Sequence, residues 1–260
     1  MYQTCPKCQY ERQASDSAGP DTCPACGLIF SKWLKQQFNQ PTDQPRAGNF
    51  QPISSDIDIS RIGATVVELK RLLFQTEAPG NSLVLYARAV LFLGFASWGI
   101  YFITLDFETN AIGQSFMHVI NLVFHEAGHV LFRLFGNSFL IFLGGTLGQL
   151  LMPLVVMVAL LWTNRDPFGA SFGLWWLGQS CMDCAPYIND ARALELTLLG
   201  GGTGMDKPGM HDWNNILLDL GWLRYDHMIA TWFDRIGSLI VLLAITWGGF
   251  ILYRQYQMLG

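Results

Sequence analysis

The chain has 260 residues, 51% of them hydrophobic and only 14% charged, with a formal net charge of −4. An ordinary globular domain carries about 25% charged residues, so a collagen, a disulfide-stapled secreted mini-protein and a basic nucleic-acid binder are excluded as descriptions of the whole. Half of the 16 Lys and Arg fall in residues 1–80 and eight of the nine Trp fall after them, the distribution of a small soluble head joined to a membrane body.

The head opens without the basic start and apolar run of a secretory signal. It carries Cys5-Pro6-Lys7-Cys8 and, 14 residues on, Cys23-Pro24-Ala25-Cys26-Gly27. Two Cys-x-x-Cys pairs so spaced suit a tetrahedral structural zinc, each pair forming a tight knuckle that presents two thiolates. A zinc ribbon is therefore predicted over residues 1–35. So short a segment buries too little core to fold unaided, and the metal would supply the missing free energy. Lys7, Arg12, Lys32 and Lys35 are offset by Glu11, Asp16 and Asp21. That balance is too thin for a phosphate-tracking patch, so no nucleic acid is expected and the ribbon's role is structural or for a protein partner.

Residues 36–58 are polar and proline-punctuated and read as a linker. Over 59–78, Ile62, Val66, Leu69 and Leu73 recur at helical spacing, predicting an amphipathic helix that lies on the bilayer surface or packs on the body; the surface is favoured. Residues 79–260 form the membrane body. Apolar runs predict spans at 82–105, 114–135, 143–163, 169–188 and 236–253. The fourth holds Asp183 and several Gly and is either complete or re-entrant. The fold class expected is an all-α polytopic membrane protein with about five membrane helices. Positive charge before the first span and none in the loop 106–113 places the N-terminus in the cytoplasm of a multi-pass protein of the cell (inner) membrane, surrounded by lipid bilayer.

The second span contains Phe124-His125-Glu126-Ala127-Gly128-His129-Val130. Four residues apart on a helix, His125 and His129 share a face and can hold one metal ion, with Glu126 placed as general base toward water. His and Glu are costly inside a bilayer and mark function there. On the same helix Asn121 reads as a donor that orients a ligand, and His118 as such a donor or as a polar residue lining a water path. Cys181 and Cys184 form a third Cys-x-x-Cys, which reads as two small apolar residues at a helix interface, with a redox pair or metal site as the alternative. The stretch Gly144-Gly145-Thr146-Leu147-Gly148-Gln149 permits close helix approach, with Thr146 or Gln149 as donors to a substrate backbone. In His211-Asp212-Trp213-Asn214, Asp212 is the expected helix N-cap and Trp213 a headgroup anchor. His211 is a metal ligand, a transition-state donor or a polar loop residue.

Residues 82–253, through His125-Glu126-Ala127-Gly128-His129, resemble the site-2 protease family of intramembrane zinc metallopeptidases. The resemblance implies a catalytic zinc, a later Asp as third ligand, and cleavage of a peptide bond in a membrane-embedded protein substrate, making 79–260 a metallopeptidase-like domain. The family's Leu-Asp-Gly is absent, and Asp219-Leu220-Gly221 only transposes it. Asp190, after Pro186 and Asn189, is the nearest echo of the family's Asn-x-x-Pro stretch and is the first choice for third ligand, with His211 and Asp183 as alternatives. Two other functions fit the same residues: a non-proteolytic zinc-binding scaffold or adaptor, and a hydrolase of a non-peptide amide or ester.

Overall fold

A computed structural model describes residues 3–38 and 59–259. The linker expected over 36–58 lies outside the described residues from residue 39 on. Helix makes up 68% of the structure, and no strand occurs among the described residues. The chain divides into two compact units, Met1–Ile59 and Ser60–Gly260.

In the first unit two equivalent turns are each closed by an isolated antiparallel bridge, Thr4 with Glu11 and Thr22 with Ile29. Each turn ends on a positive φ, 59° at Gln9 and 70° at Gly27. Helix α1 (Phe30–Phe38) follows. Phe30 packs with the buried Cys5 and Cys23, the only core this unit has among its described residues.

The second unit begins with α2 (Ile59–Phe74). Its C-terminal end is docked on the body: Leu72 is buried, Trp247 Nε1 donates to the Leu73 carbonyl at 2.8 Å, and Phe74 meets Phe250 edge-on. Val67 and Leu69 remain exposed. Helices α3 (Ser82–Thr104), α4 (Phe116–Phe132) and α5 (Ser138–Trp162) each start at a residue whose side chain accepts from the first turn: Asn81, Ser115 and Asn137. That capping satisfies amides the helix itself leaves orphaned. Helix α6 (Pro167–Asn189) starts on a proline, which lacks such an amide. Two further helices, α7 (Asp212–Asp219) and α8 (Asp226–Gln257), complete the unit.

Among the described residues three helical segments are long and apolar enough to cross a membrane: Ser82–Thr104, Ser138–Trp162 and Leu223–Gln257. Sequence reading expected about five. Helix α6 is continuous over 23 residues, yet its second half is buried almost throughout and carries polar groups inward. Helix α4 has 17 residues, or about 26 Å at 1.5 Å per residue.

Side-chain contacts fix which helix ends meet. At one end Arg88, early in α3, lies 3.3 Å from Asp166 at the start of α6. Gln255, late in α8, donates to Thr76 just ahead of α3 at 2.7 Å. At the other end Arg192, after α6, donates to Asp226 at the start of α8. There Phe107, which follows α3, and Phe139 and Phe142, which open α5, pack on Ile188, Trp213 and Ala230. Helices α3, α5, α6 and α8 therefore each join the two ends. Helix α4 does not: the chain reaches it from the end where α3 finishes and leaves it at the end where α5 starts, which is the same end.

Helix α4 and α5 meet backbone to backbone. A β-carbon at Gly128 would run into the Gly144 carbonyl oxygen, and one at Gly148 into that of Phe124. Only glycine at these positions lets the helices approach so closely, and this approach carries the α4 histidines onto the face of α5.

Candidate metal centres

In the head, the Sγ atoms of Cys5, Cys8, Cys23 and Cys26 all lie within 4.8 Å of one another. Cys5 to Cys26 and Cys8 to Cys23 are each 3.7 Å apart. A tetrahedron with metal–sulfur bonds of about 2.3 Å has edges of about 3.8 Å, whereas a disulfide would need about 2.0 Å. The four sulfurs thus fit a thiolate-bound metal ion and stand too far apart for disulfides. Burial opposes charge on Cys5, but amides of Cys8 and Lys7 aimed at its sulfur outweigh it and bring the thiol down to about 6. Metal binding requires the thiolate, and these amides favour it.

In the body, His125 and His129 project from one face of α4, as their spacing requires. Three donor atoms converge there: Asp212 Oδ2 is 3.1 Å from His125 Nε2 and 3.2 Å from His129 Nε2. A tetrahedral ion with bonds of about 2.0–2.1 Å to nitrogen and oxygen spaces its ligands about 3.3–3.4 Å apart, so both Asp212–histidine separations are already close to those an ion would impose. Glu126, half-buried, is grouped with the two histidines and lines the same cavity, of about 630 Å³.

The hydrogen bonds around the imidazoles select the tautomer that binding needs. His129 Nδ1 lies 2.7 Å from the Ile141 carbonyl. A carbonyl only accepts, so the proton sits on Nδ1 and the Nε2 lone pair is free. Gln149 does the same for His125. Its Nε2 donates to Asp183 Oδ2 at 3.0 Å and to the Ser180 carbonyl at 3.3 Å, which leaves Oε1 facing His125 Nδ1 at 3.3 Å. A proton on Nδ1 of each ring aims both Nε2 lone pairs at the point Asp212 faces. Burial raises the Asp212 carboxyl pKa, but when the two rings are protonated their hydrogen bonds and charge outweigh this and hold the carboxyl below its usual value.

Gly145 makes room for this trio. A β-carbon there would lie 2.5 Å from His125 Nε2 and 2.6 Å from His129 Nε2. The ligand atoms occupy the space a side chain would have filled.

Asp190 and His211, the expected further ligands, are not at this point. The Asp190 carboxylate accepts from the Glu195 and Leu196 amides at 2.9 and 3.0 Å, tying down the loop after α6. His211 Nδ1 accepts from the Asn214 amide at 3.1 Å as the N-cap of α7, and its Nε2 faces Asp190 Oδ2 at 3.3 Å. Each is occupied by local structure or by the other. Asp183 is also elsewhere: its buried carboxylate takes His118 Nδ1 at 3.0 Å, Asn121 Nδ2 at 3.0 Å and Gln149 Nε2. Asn121 and His118 therefore reach His125 only through Asp183 and Gln149. Trp213 is buried rather than at a membrane surface, and its Nε1 donates to Thr146 Oγ1 at 3.1 Å, fastening α7 to α5. Cys181 and Cys184 are both buried on α6.

Asp212 is the residue that sequence reading passed over. Capping preference ranks Asp above His and points to 212 as the cap; with His211 in that role, the Asp212 side chain is released toward the histidines. Its amide donates to the Tyr187 hydroxyl at 3.0 Å, which holds the first turn of α7 in place. No family model, curated protein or solved structure matches this chain.

Proposed function

We propose that this chain is an intramembrane zinc metallopeptidase, similar to the site-2 protease family in its catalytic helix, with a structural zinc in its head. The observation that carries the reading is the convergence of His125 Nε2, His129 Nε2 and Asp212 Oδ2 beside Glu126 in one cavity. Three protein ligands and an adjacent cavity are the arrangement of a catalytic rather than a structural site, where a closed set of four is usual. When bound there, zinc lowers the pKa of water and polarises a carbonyl as a Lewis acid.

The chain's own groups do the rest. Gln149 and the Ile141 carbonyl hold the imidazole tautomers, and Tyr187 and Trp213 hold the helix that brings Asp212. Glu126 is not needed as a ligand. Its carboxylate takes a proton from the attacking water and hands it to the leaving amine nitrogen. The cavity also presents Leu196–Leu199, a stretch paired through the Thr197–Thr203 bridge, so an unwound, extended peptide would lie beside apolar side chains. The substrate proposed is a membrane-embedded protein.

In this reading α3, α5, α6 and α8 cross the bilayer of the cell membrane. Eight Lys and Arg precede α3 in the sequence, and Arg88, Arg165 and Arg254 lie at the end of the body where α3 begins. The positive-inside rule then assigns that end, and the head, to the cytoplasm. The test is Glu126→Gln in cells, read by comparing the termini of membrane proteins with wild type. The reading expects fragments that vanish in the variant while its metal content is unchanged. Fragments that persist in Glu126→Gln would leave a zinc-binding scaffold.

A further inference from the structure

We propose that the metal centre opens on the extracytoplasmic face of the membrane, so that its substrate is the extracytoplasmic flank of a membrane protein. This rests on the membrane reading above and on the path of α4. A catalytic helix that crossed the bilayer after α3 would put the loop following it, the loop following α6 and the bulk of the site on the cytoplasmic side. The contacts give the opposite parity. The chain enters α4 from the end where α3 finishes and leaves it at that same end, so α5 starts from that end as well, and α6 returns to it.

Every loop bordering the cavity belongs to the same end. Asn110 comes from the connection after α3, Arg133 from the turn after α4, and Leu199 and Lys207 from the loop between α6 and α7. Asp212 itself stands on α7, which lies between the far ends of α6 and α8. The connection at the other end, residues 163–166, does not border the cavity. At this end of the body Leu199, Met205 and Met210 are exposed at 60–63% and Trp222 at 52%. Apolar and aromatic side chains at a loop-rich end suit the headgroup region, where a substrate's juxtamembrane segment leaves the hydrocarbon. Lys and Arg are sparse at this end, five of sixteen, as expected of an extracytoplasmic surface.

The experiment is substituted-cysteine labelling with a membrane-impermeant maleimide, on intact and on lysed cells. Leu134→Cys and Leu199→Cys report on the end that bears the site, Asn164→Cys and Met258→Cys on the other; all four positions are exposed. The unaltered chain gives the background, and retained metal content shows that each variant is folded. The proposal expects 134 and 199 to label from outside as fully as after lysis, and 164 and 258 to label only after lysis. Labelling of 164 and 258 from outside with 134 and 199 protected, the pattern of five crossings, overturns it while leaving the peptidase reading standing. Release of the chain from membranes by alkaline carbonate overturns the membrane reading itself, and this proposal with it.

Discussion

Gly145→Ala adds one methyl group to a helix and should abolish the body's metal site. Substituting alanine for an interior helical glycine favours the helix by about 1 kcal/mol, so the helix itself gives no reason for loss. The site does. The new β-carbon would lie 2.5 Å from His125 Nε2 and 2.6 Å from His129 Nε2, against an ordinary non-bonded separation of about 3.5 Å. Both rings must retreat by about 0.9–1.0 Å, while metal–ligand distances tolerate only about ±0.2 Å. They have nowhere to go without breaking the bonds that fix their tautomers, His129 to Ile141 and His125 to Gln149. Loss of an outer partner alone costs about 10–100-fold in affinity, so displacing two ligands together should exceed about 100-fold. The assay is competition with a chromophoric zinc chelator on purified protein, with Gly94→Ala as control because a β-carbon there meets nothing within 4 Å. Gly145→Ala with the affinity of wild type would refute the placement of the two Nε2 atoms against α5.

Asp212→Asn should lose metal from the body, whereas Asp190→Ala should keep it and instead lower thermal stability, since two loop amides lose an acceptor worth about 1–3 kcal/mol in total; metal content and thermal unfolding separate the two. Gln149→Leu should weaken body metal affinity by about 10–100-fold, because His125 loses the acceptor that fixes its tautomer, and the same chelator competition reads it. Removing residues 1–35 should remove one metal per chain and leave the membrane unit folded, judged by monodispersity and by the metal that remains. Cys8→Ser should release the head's metal alone.

What was legible in the sequence is what local spacing determines. Four cysteines in two short turns, and two histidines one helical turn apart, can be read as ligands because their geometry is set within a few residues. Asp212 could not, for it meets His125 across 87 residues and its release depends on a histidine taking the cap that rules of preference assign to an aspartate. The partners of the supporting groups were hidden for a similar reason. Gln149 and Asn121 are polar residues on apolar helices, and which faces meet is decided by the Gly128–Gly144–Gly148 contact rather than by either helix alone. The path of α4 is not legible in the sequence, because hydropathy reports that a segment is apolar and not which way it runs. Residues 114–135 are apolar enough to suggest a span, but only the Arg88–Asp166 and Arg192–Asp226 pairs reveal that the neighbouring helices leave no second end for α4 to reach.

The most direct test of the account is the number of metal ions per purified chain in wild type and in Asp212→Ala. Four thiolates in one unit and the His125–His129–Asp212 trio in the other cannot share an ion, so elemental analysis of wild type should give two zinc ions per chain. Asp212→Ala should give one, and chain cut down to residues 59–260 should then give one for wild type and none for the variant. Two ions retained in Asp212→Ala, or a wild-type chain holding only the ion of its head, would contradict the metal centre on which the proposed function depends.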